Sequence, residues 1–314
     1  MKRNICPLFF ASFFFIGSLL FGQAPADYDL HWSDEFDGDS LNAANWNVEL
    51  GSFYWANQEQ QWYTEDAISV QEGSLKITSR WDSVDNRIES GRFNSKDKRE
   101  FGDGYYEARV RFTGTYHNSI FAAFWSMGYR HEDKSVAEHT VPSGRGWPSC
   151  GENDFMEWVG SDDDADNGTG NDDGLYTPFG TCHFNPIENN ANTNSQGQSG
   201  WPHNWRFATN MGKAGDLKPY EWHTVGAKIA GDTCTYYFNG KPYATYFIGN
   251  QTELKEDRFI ICNLAIGGSL ADAFQPEVKL PTTVMEWDYV RYYVPSSEKE
   301  RTKAQPPHNK GDGQ

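Results

Sequence analysis

The 314-residue chain carries 27 Lys and Arg against 44 Asp and Glu, a formal charge of −17 at pH 7. A balance that acidic excludes nucleic acid as an expected partner, because phosphate chains need a basic footprint, and it weighs against heavily sulfated polysaccharides for the same reason. Aromatic residues make up 16% of the chain, with 12 Trp, and Trp joins a flat apolar face to a polar N–H in the way that stacking on uncharged sugar rings requires.

Taken in chain order, residues 1–23 open with Lys2 and Arg3, run through an apolar Phe/Leu-rich stretch and end in small residues. That pattern reads as a secretory signal peptide, so a secreted or periplasmic protein with no membrane span after cleavage is expected. Residues 27–295 read as one domain. Short β-type runs at 73–81, 104–114, 119–128, 223–231, 233–247 and 283–294 are punctuated by Gly, Asn, Asp and Pro, with "NGKP" at 239–242 as a hairpin turn. No long stretch has helical periodicity, which predicts an all-β sandwich. Three long loops are expected at 129–146, 160–174 and 186–206, and a disordered tail at 296–314. The mature cysteines Cys150, Cys182, Cys234 and Cys262 allow three complete disulfide pairings or four buried thiols.

The segment "GENDFMEWVG" at 151–160 sets Glu152, Asp154 and Glu157 into an apolar strand. Side chains alternate faces along a strand, so Glu157 breaks the rhythm of the other two. One extra residue around Phe155 and Met156, taken up as a β-bulge, restores it and puts all three acids on one face. At about 3.3 Å per residue the two Glu side chains can then approach to about 5–6 Å over the central Asp. That is the separation of a retaining glycosidase, in which one carboxylate attacks the sugar and the other protonates the leaving oxygen. Three carboxyls so close spread their pKa values and titrate as a cluster, with Asp154 able to hydrogen-bond the nucleophile. Trp147 and Trp158 flank the acids, and no Lys or Arg lies within the strand to neutralise them.

"GWPSCGENDFMEW" resembles the catalytic strand of glycoside hydrolase family 16 in its bulged form. "LHWSDEFDGDSLNAANW", "NQEQQWYT", "SGRFNSK", "GYYEARVRF", "IFAAFWSMG", "EWHTVGAKI", "FIICNLAIGGS" and "MEWDYVRYY" follow that family's order over residues 28–294. The resemblance implies a β-jelly-roll of two curved antiparallel sheets with an open cleft on the concave face. It implies retaining endo-hydrolysis with Glu152 as nucleophile, Asp154 assisting and Glu157 as acid/base. The "NQEQQWYT" and "WPSCGE" blocks are most similar to the laminarinases, which cut β-1,3-glucan and often mixed-linkage β-1,3-1,4-glucan.

The same resemblance carries Asn57, Glu59, Gln61, Arg92, Trp125, Trp147, His183 and Asn263 over as substrate contacts. No cofactor is required for the chemistry. A structural calcium ion on the convex face would take Glu35, the Gly73 carbonyl and Asp288, hard oxygen ligands suited to it. A monomer acting on polysaccharide is expected. The alternatives are the same machinery on a red-algal galactan, as in agarases and porphyranases, transglycosylation through the same covalent intermediate, or a non-catalytic carbohydrate-binding jelly roll. Asn153 stands where the family has Ile or Val, in a position facing the interior, and needs a hydrogen-bond partner there.

Overall fold

The computed structural model describes residues 24–52, 57–114, 118–129, 147–148, 150–160, 177–184, 214–249, 251–268, 271 and 282–297, and the backbone of 204–209. The expected signal peptide, the greater part of the three long loops and the end of the tail lie outside the described residues. Eighteen strands are present: β1 (Tyr28–Asp34), β2 (Asn47–Val48), β3 (Gly51–Ser52), β4 (Gln61–Tyr63), β5 (Ile68–Gln71), β6 (Ser74–Asp82), β7 (Arg87–Ser90), β8 (Arg92–Asn94), β9 (Gly104–Gly114), β10 (Ile120–Gly128), β11 (Glu152–Val159), β12 (Phe179–Phe184), β13 (Asn204–Thr209), β14 (His223–Ala230), β15 (Thr233–Phe238), β16 (Lys241–Phe247), β17 (Arg258–Ile266) and β18 (Thr283–Pro295). Two single-turn 3-10 segments, Glu65–Ala67 and Thr252–Leu254, are the other regular elements among the described residues. None of them is a helix long and apolar enough to cross a membrane.

The strands form two sheets. One has eleven strands in the order β16-β15-β14-β9-β18-β6-β7-β4-β3, with β1 on β18 and β5 on β6; the other has seven, in the order β13-β12-β11-β10-β17-β8-β2. Pairing is antiparallel except between β4 and β7. The hairpin read from "NGKP" is present: Phe238 pairs with Lys241, and the two turn residues Asn239 and Gly240 both have positive φ, 48° and 71°. Positive φ at both positions marks a type I′ turn, whose twist suits adjacent strands.

Period-two alternation fills the space between the sheets. Tyr106, Ala108, Val110 and Phe112 of β9 point inward from the eleven-stranded sheet. Ile120, Ala122 and Phe124 of β10 and Ile260, Cys262, Leu264 and Ile266 of β17 meet them from the seven-stranded sheet. The intervening residues of β10 and β17 therefore face outward, and that outer face carries the acids.

The bulge expected in β11 is there, and its register defines it. Phe124 pairs with Met156 but Trp125 pairs with Asp154, so Phe155 is the extra residue. On the other side Asp154 pairs with Thr181 and Glu157 with Phe179, leaving Gly180 opposite both Phe155 and Met156. The inserted Phe155 is anchored in the core: its ring stacks on Tyr106 of the opposing sheet at 4.6 Å and meets Phe124 edge-on at 5.1 Å. Gly180 has no side chain because a Cβ there would lie 2.3 Å from the Tyr236 ring and 2.8 Å from the Asp154 carbonyl. The strand begins at Gly151, whose φ of +74° and close approach to the Glu253 carbonyl also demand glycine.

Replacing Phe155 with Ala removes this anchor, and the expected cost is about 3–5 kcal/mol of unfolding free energy, as for other buried Phe truncations. The shift of the urea unfolding midpoint measures it, and a variant as stable as the parent contradicts the anchoring role.

Candidate active site

With the bulge in place, Glu152, Asp154 and Glu157 share the outer face of the seven-stranded sheet, while Asn153, Phe155, Met156 and Trp158 are buried beneath them. The register fixes the surroundings. Asp154 lies in register with Trp125 on the adjacent strand and, further across the sheet, with Ile261 and Asn94; Glu157 lies in register with Ala123 and, further across, with Asn263 and Arg92. On the other flank β12 brings His183 to Glu152 and Thr181 to Asp154. Two apolar clusters close the row. Met127, Cys150, Phe259 and Ile261 lie at the Glu152 end, and Phe121, Val159, Phe179 and Ala265 at the Glu157 end.

The three acids are largely removed from water, with exposures of 9%, 4% and 7% in chain order. Each has a distinct set of polar neighbours. Glu152 accepts a hydrogen bond from Trp147, and its Oε1 lies 3.6 Å from His183 Nε2. Asp154 Oδ2 lies 3.3 Å from the same nitrogen and has no hydrogen-bond partner among the described residues. Glu157 Oε2 accepts a 2.7 Å hydrogen bond from the Thr181 hydroxyl.

Electrostatics follow from this burial. Desolvation, then the Asp154 charge, pushes Glu152 well above the ordinary carboxylate value. Desolvation, then the Glu157 charge, does the same to Asp154. Glu157 is also raised by burial, with the nearby His183 and the Thr181 hydroxyl pulling the other way. The site therefore holds a proton to higher pH than isolated carboxyls do, as a cluster that must include a proton donor requires.

The other expected contacts fall into two groups. Arg92, Trp125 and Asn263 come together beside the acids: Trp125 Nε1 donates to Asn263 Oδ1 at 2.7 Å, and the Arg92 guanidinium lies over the Trp125 ring at 5.0 Å while pairing with Glu49 at 2.9 Å. Trp147 is 37% exposed, with its ring 5.8 Å from that of His183, so it stands at the rim with a face to offer. Asn57, Glu59 and Gln61 form a second knot, in which Gln61 Nε2 donates to Glu59 Oε2 at 2.8 Å and Asn57 Nδ2 approaches Glu59 Oε1 at 3.4 Å. Gln61 Oε1 receives the Ile266 backbone N–H, which ties this knot to the end of β17.

Asn153 faces inward as expected. Its Oδ1 accepts from the Cys182 thiol at 3.0 Å, and its Nδ2 is buried without a partner among the described residues. All four described cysteines are buried, and none forms a disulfide among the described residues. Thr181 and Glu49 were missed by sequence reasoning. Thr181 lies two residues before His183 in "TCHF", so strand alternation alone places it on the face of the acids.

The carboxylates expected to hold calcium have guanidinium partners. Asp288 Oδ2 is held by Arg109 Nη1 at 2.7 Å, and both oxygens of Glu35 are held by Arg291 at 2.9 and 2.7 Å. Gly73 has φ +73° in the tight turn between β5 and β6. Each carboxylate is matched by a guanidinium, so a dication on this set would have to compete with both. Among the described residues one set of side chains brings three potential ligand atoms within 4.8 Å, Glu152, Asp154 and His183, and it is the acid cluster itself.

Raised carboxyls carry a stability consequence with a definite sign. Above pH ~4, where unfolded carboxyls ionise, the folded chain holds protons that the unfolded chain releases, so stability falls as pH rises toward the folded values. Glu152→Gln and Asp154→Asn remove that penalty, and each is expected to stabilise the protein by about 1–2 kcal/mol at pH 7, with the gain vanishing near pH 3. Melting curves across pH measure it, and variants less stable than the parent at pH 7 would contradict the electrostatic reading.

No family model matches the chain. It is 27% identical over 304 residues to the glucan endo-1,3-beta-glucosidase A1 of Niallia circulans, covering 86% of this chain and 38% of that protein. It is 26% identical over 268 residues to the glucan endo-1,3-beta-glucosidase of Cryptopygus antarcticus, covering 79% and 84%. The chain thus spans well under half of the first relative and most of the second. Among solved structures, the catalytic domain of an endo-1,3-beta-glucanase (laminarinase) from Thermotoga petrophila superposes with a TM-score of 0.64 at 25% identity, covering 86% of this chain and 98% of that one. Solved family 16 endo-glucanases share the same fold, which is the jelly roll expected from the sequence. In sequence the chain is thus similar to glucan endo-1,3-beta-glucosidases, and in fold to solved laminarinases, in keeping with the resemblance read from the bulged acid row.

Proposed function

We propose that the protein is a retaining endo-β-glucanase that hydrolyses β-1,3-glucan, and mixed-linkage β-1,3-1,4-glucan as a second substrate. The observation that carries this reading is the bulge at Phe155, which sets three buried acids in one row beside Trp147, Trp125, Arg92 and Asn263. The two relatives named for endo-1,3-glucan cleavage support the choice of glucan.

In this reading Glu152, its oxygens oriented by Trp147 and His183, attacks the anomeric carbon as the glycosidic bond breaks. Glu157 gives its proton to the leaving oxygen. Water then releases the sugar from Glu152 with Glu157 as base. Asp154 lies between them and adds the negative charge that keeps a proton in the cluster. The aromatic rim and the Arg92, Asn263 and Glu59 groups hold the sugar by stacking and hydrogen bonding. The acid surface, at −17 overall, suits a neutral polymer. Export rests on residues 1–23, and a single catalytic domain on 27–295.

Two enzyme assays test this. Laminarin and lichenan should release reducing sugar, and agarose and porphyran should not; release from agarose alone would overturn the substrate assignment. Glu152→Ser is expected to lose at least about a thousandfold in kcat, since it removes the nucleophile itself. A variant with full activity would refute the mechanism.

A further inference from the structure

The acid row is held unequally. Among the described residues, Glu157 alone of the three carboxyls is gripped by a neighbouring strand's hydroxyl: Thr181 Oγ1 donates to its Oε2 at 2.7 Å. Thr181 is not the direct cross-strand partner of Glu157. It pairs with Asp154, and the direct partner of Glu157 is Phe179. The bond is therefore diagonal, and it exists because the extra residue Phe155 and the facing Gly180 offset the two strands at this point.

Three properties suit Thr181 to hold a carboxyl in one orientation. It is 2% exposed, so water does not compete for its hydroxyl. Its β-branched side chain has few rotamers to choose from. It also sits on a strand flanked on both sides, between β11 and β13, so its backbone is fixed on both edges.

We propose that Thr181 is a positioning residue for the acid/base: by holding Glu157 Oε2, it leaves Oε1 as the oxygen that delivers the proton to the leaving group and later takes one from water. This rests on the glucanase reading and assigns a part in it to a residue that neither the acid motif nor the resemblance points to. When the glycosidic C–O bond breaks, its electron pair stays with the leaving oxygen, which takes the proton from Oε1. Glu157 becomes a carboxylate at that moment, and the Thr181 hydroxyl strengthens its bond as the charge develops. The interaction is thus stronger in the transition state than in the ground state, which is the condition for raising the rate.

A donor to the ionised carboxyl also favours ionisation, in keeping with the downward pull of Thr181 on Glu157. Removing it should therefore raise the proton affinity of Glu157 and move the alkaline limb of the pH–rate profile upward.

The experiment compares Thr181→Val and Thr181→Ser with the parent on two substrates. One is laminarin, whose sugar leaving group needs a proton. The other is a dinitrophenyl β-glycoside of a short β-1,3-glucan, whose phenolate leaves without one. For Thr181→Val, kcat/KM on laminarin should fall about tenfold or more, the scale of one hydrogen bond to a charged group, with the loss in kcat rather than KM. On the dinitrophenyl glycoside kcat/KM should stay within about twofold of the parent, since glycosylation no longer needs the acid. The alkaline limb on laminarin should move to higher pH in Thr181→Val, and Thr181→Ser should recover most of the rate.

An equal loss on both substrates, an unmoved alkaline limb, or a Ser variant no better than Val would overturn the proposal. Melting curves separate these outcomes from misfolding, and the Ser variant keeps the comparison if Val does not fold. A parent enzyme inactive on both substrates would instead refute the glucanase reading itself.

Discussion

The arrangement of the acid row depends on one packing constraint, the clamping of Phe155 between Tyr106 of one sheet and Phe124 of the other. A strand that inserts a residue loses regular pairing at that point, and something must hold the irregularity in place. Here the inserted residue is itself a large aromatic with its ring in the core. Burying Phe155 and Met156 side by side is what turns Glu157 back to the face of Glu152 and Asp154. Core packing and the geometry of the acid row are in this sense one feature seen from two sides of the sheet.

The outer face shows the complementary economy. Three carboxyls on a buried surface repel one another and lose hydration, and the fold tolerates them through a few fixed partners: Trp147 on Glu152, His183 between Glu152 and Asp154, Thr181 on Glu157. No Lys or Arg lies within hydrogen-bond reach of any of the three among the described residues. Arg92, the nearest strand-borne guanidinium along the Glu157 row, is tied to Glu49 and laid over Trp125. A cation on the acids would hold all three ionised, whereas neutral donors let the cluster keep a proton.

Much of this was legible in the sequence because it rests on local periodicity. The limits of β9 at 104–114, the Asn239-Gly240 hairpin and the bulge at Phe155 all follow from which residues must share a face. Features that depend on partners distant in sequence were not legible. The salt bridges that occupy Glu35 and Asp288 come from Arg291, 256 residues away, and Arg109, 179 residues away, and no local pattern announces them. Asn153 is an intermediate case: alternation put it inside, but only the approach of Cys182 on β12 shows what receives it. Thr181 was within reach of strand alternation, yet its diagonal bond to Glu157 follows from the offset of two strands.

A retaining reaction requires that the bulge bring Glu152 and Glu157 close enough for direct attack, rather than far enough apart to seat a water between sugar and base. The stereochemistry of the first product decides this. Proton NMR of a short β-1,3-glucan oligosaccharide during the first minutes of cleavage should show the new reducing end as the β-anomer, appearing before mutarotation. First appearance of the α-anomer would mean single displacement by water and would contradict the geometry argued from the acid row.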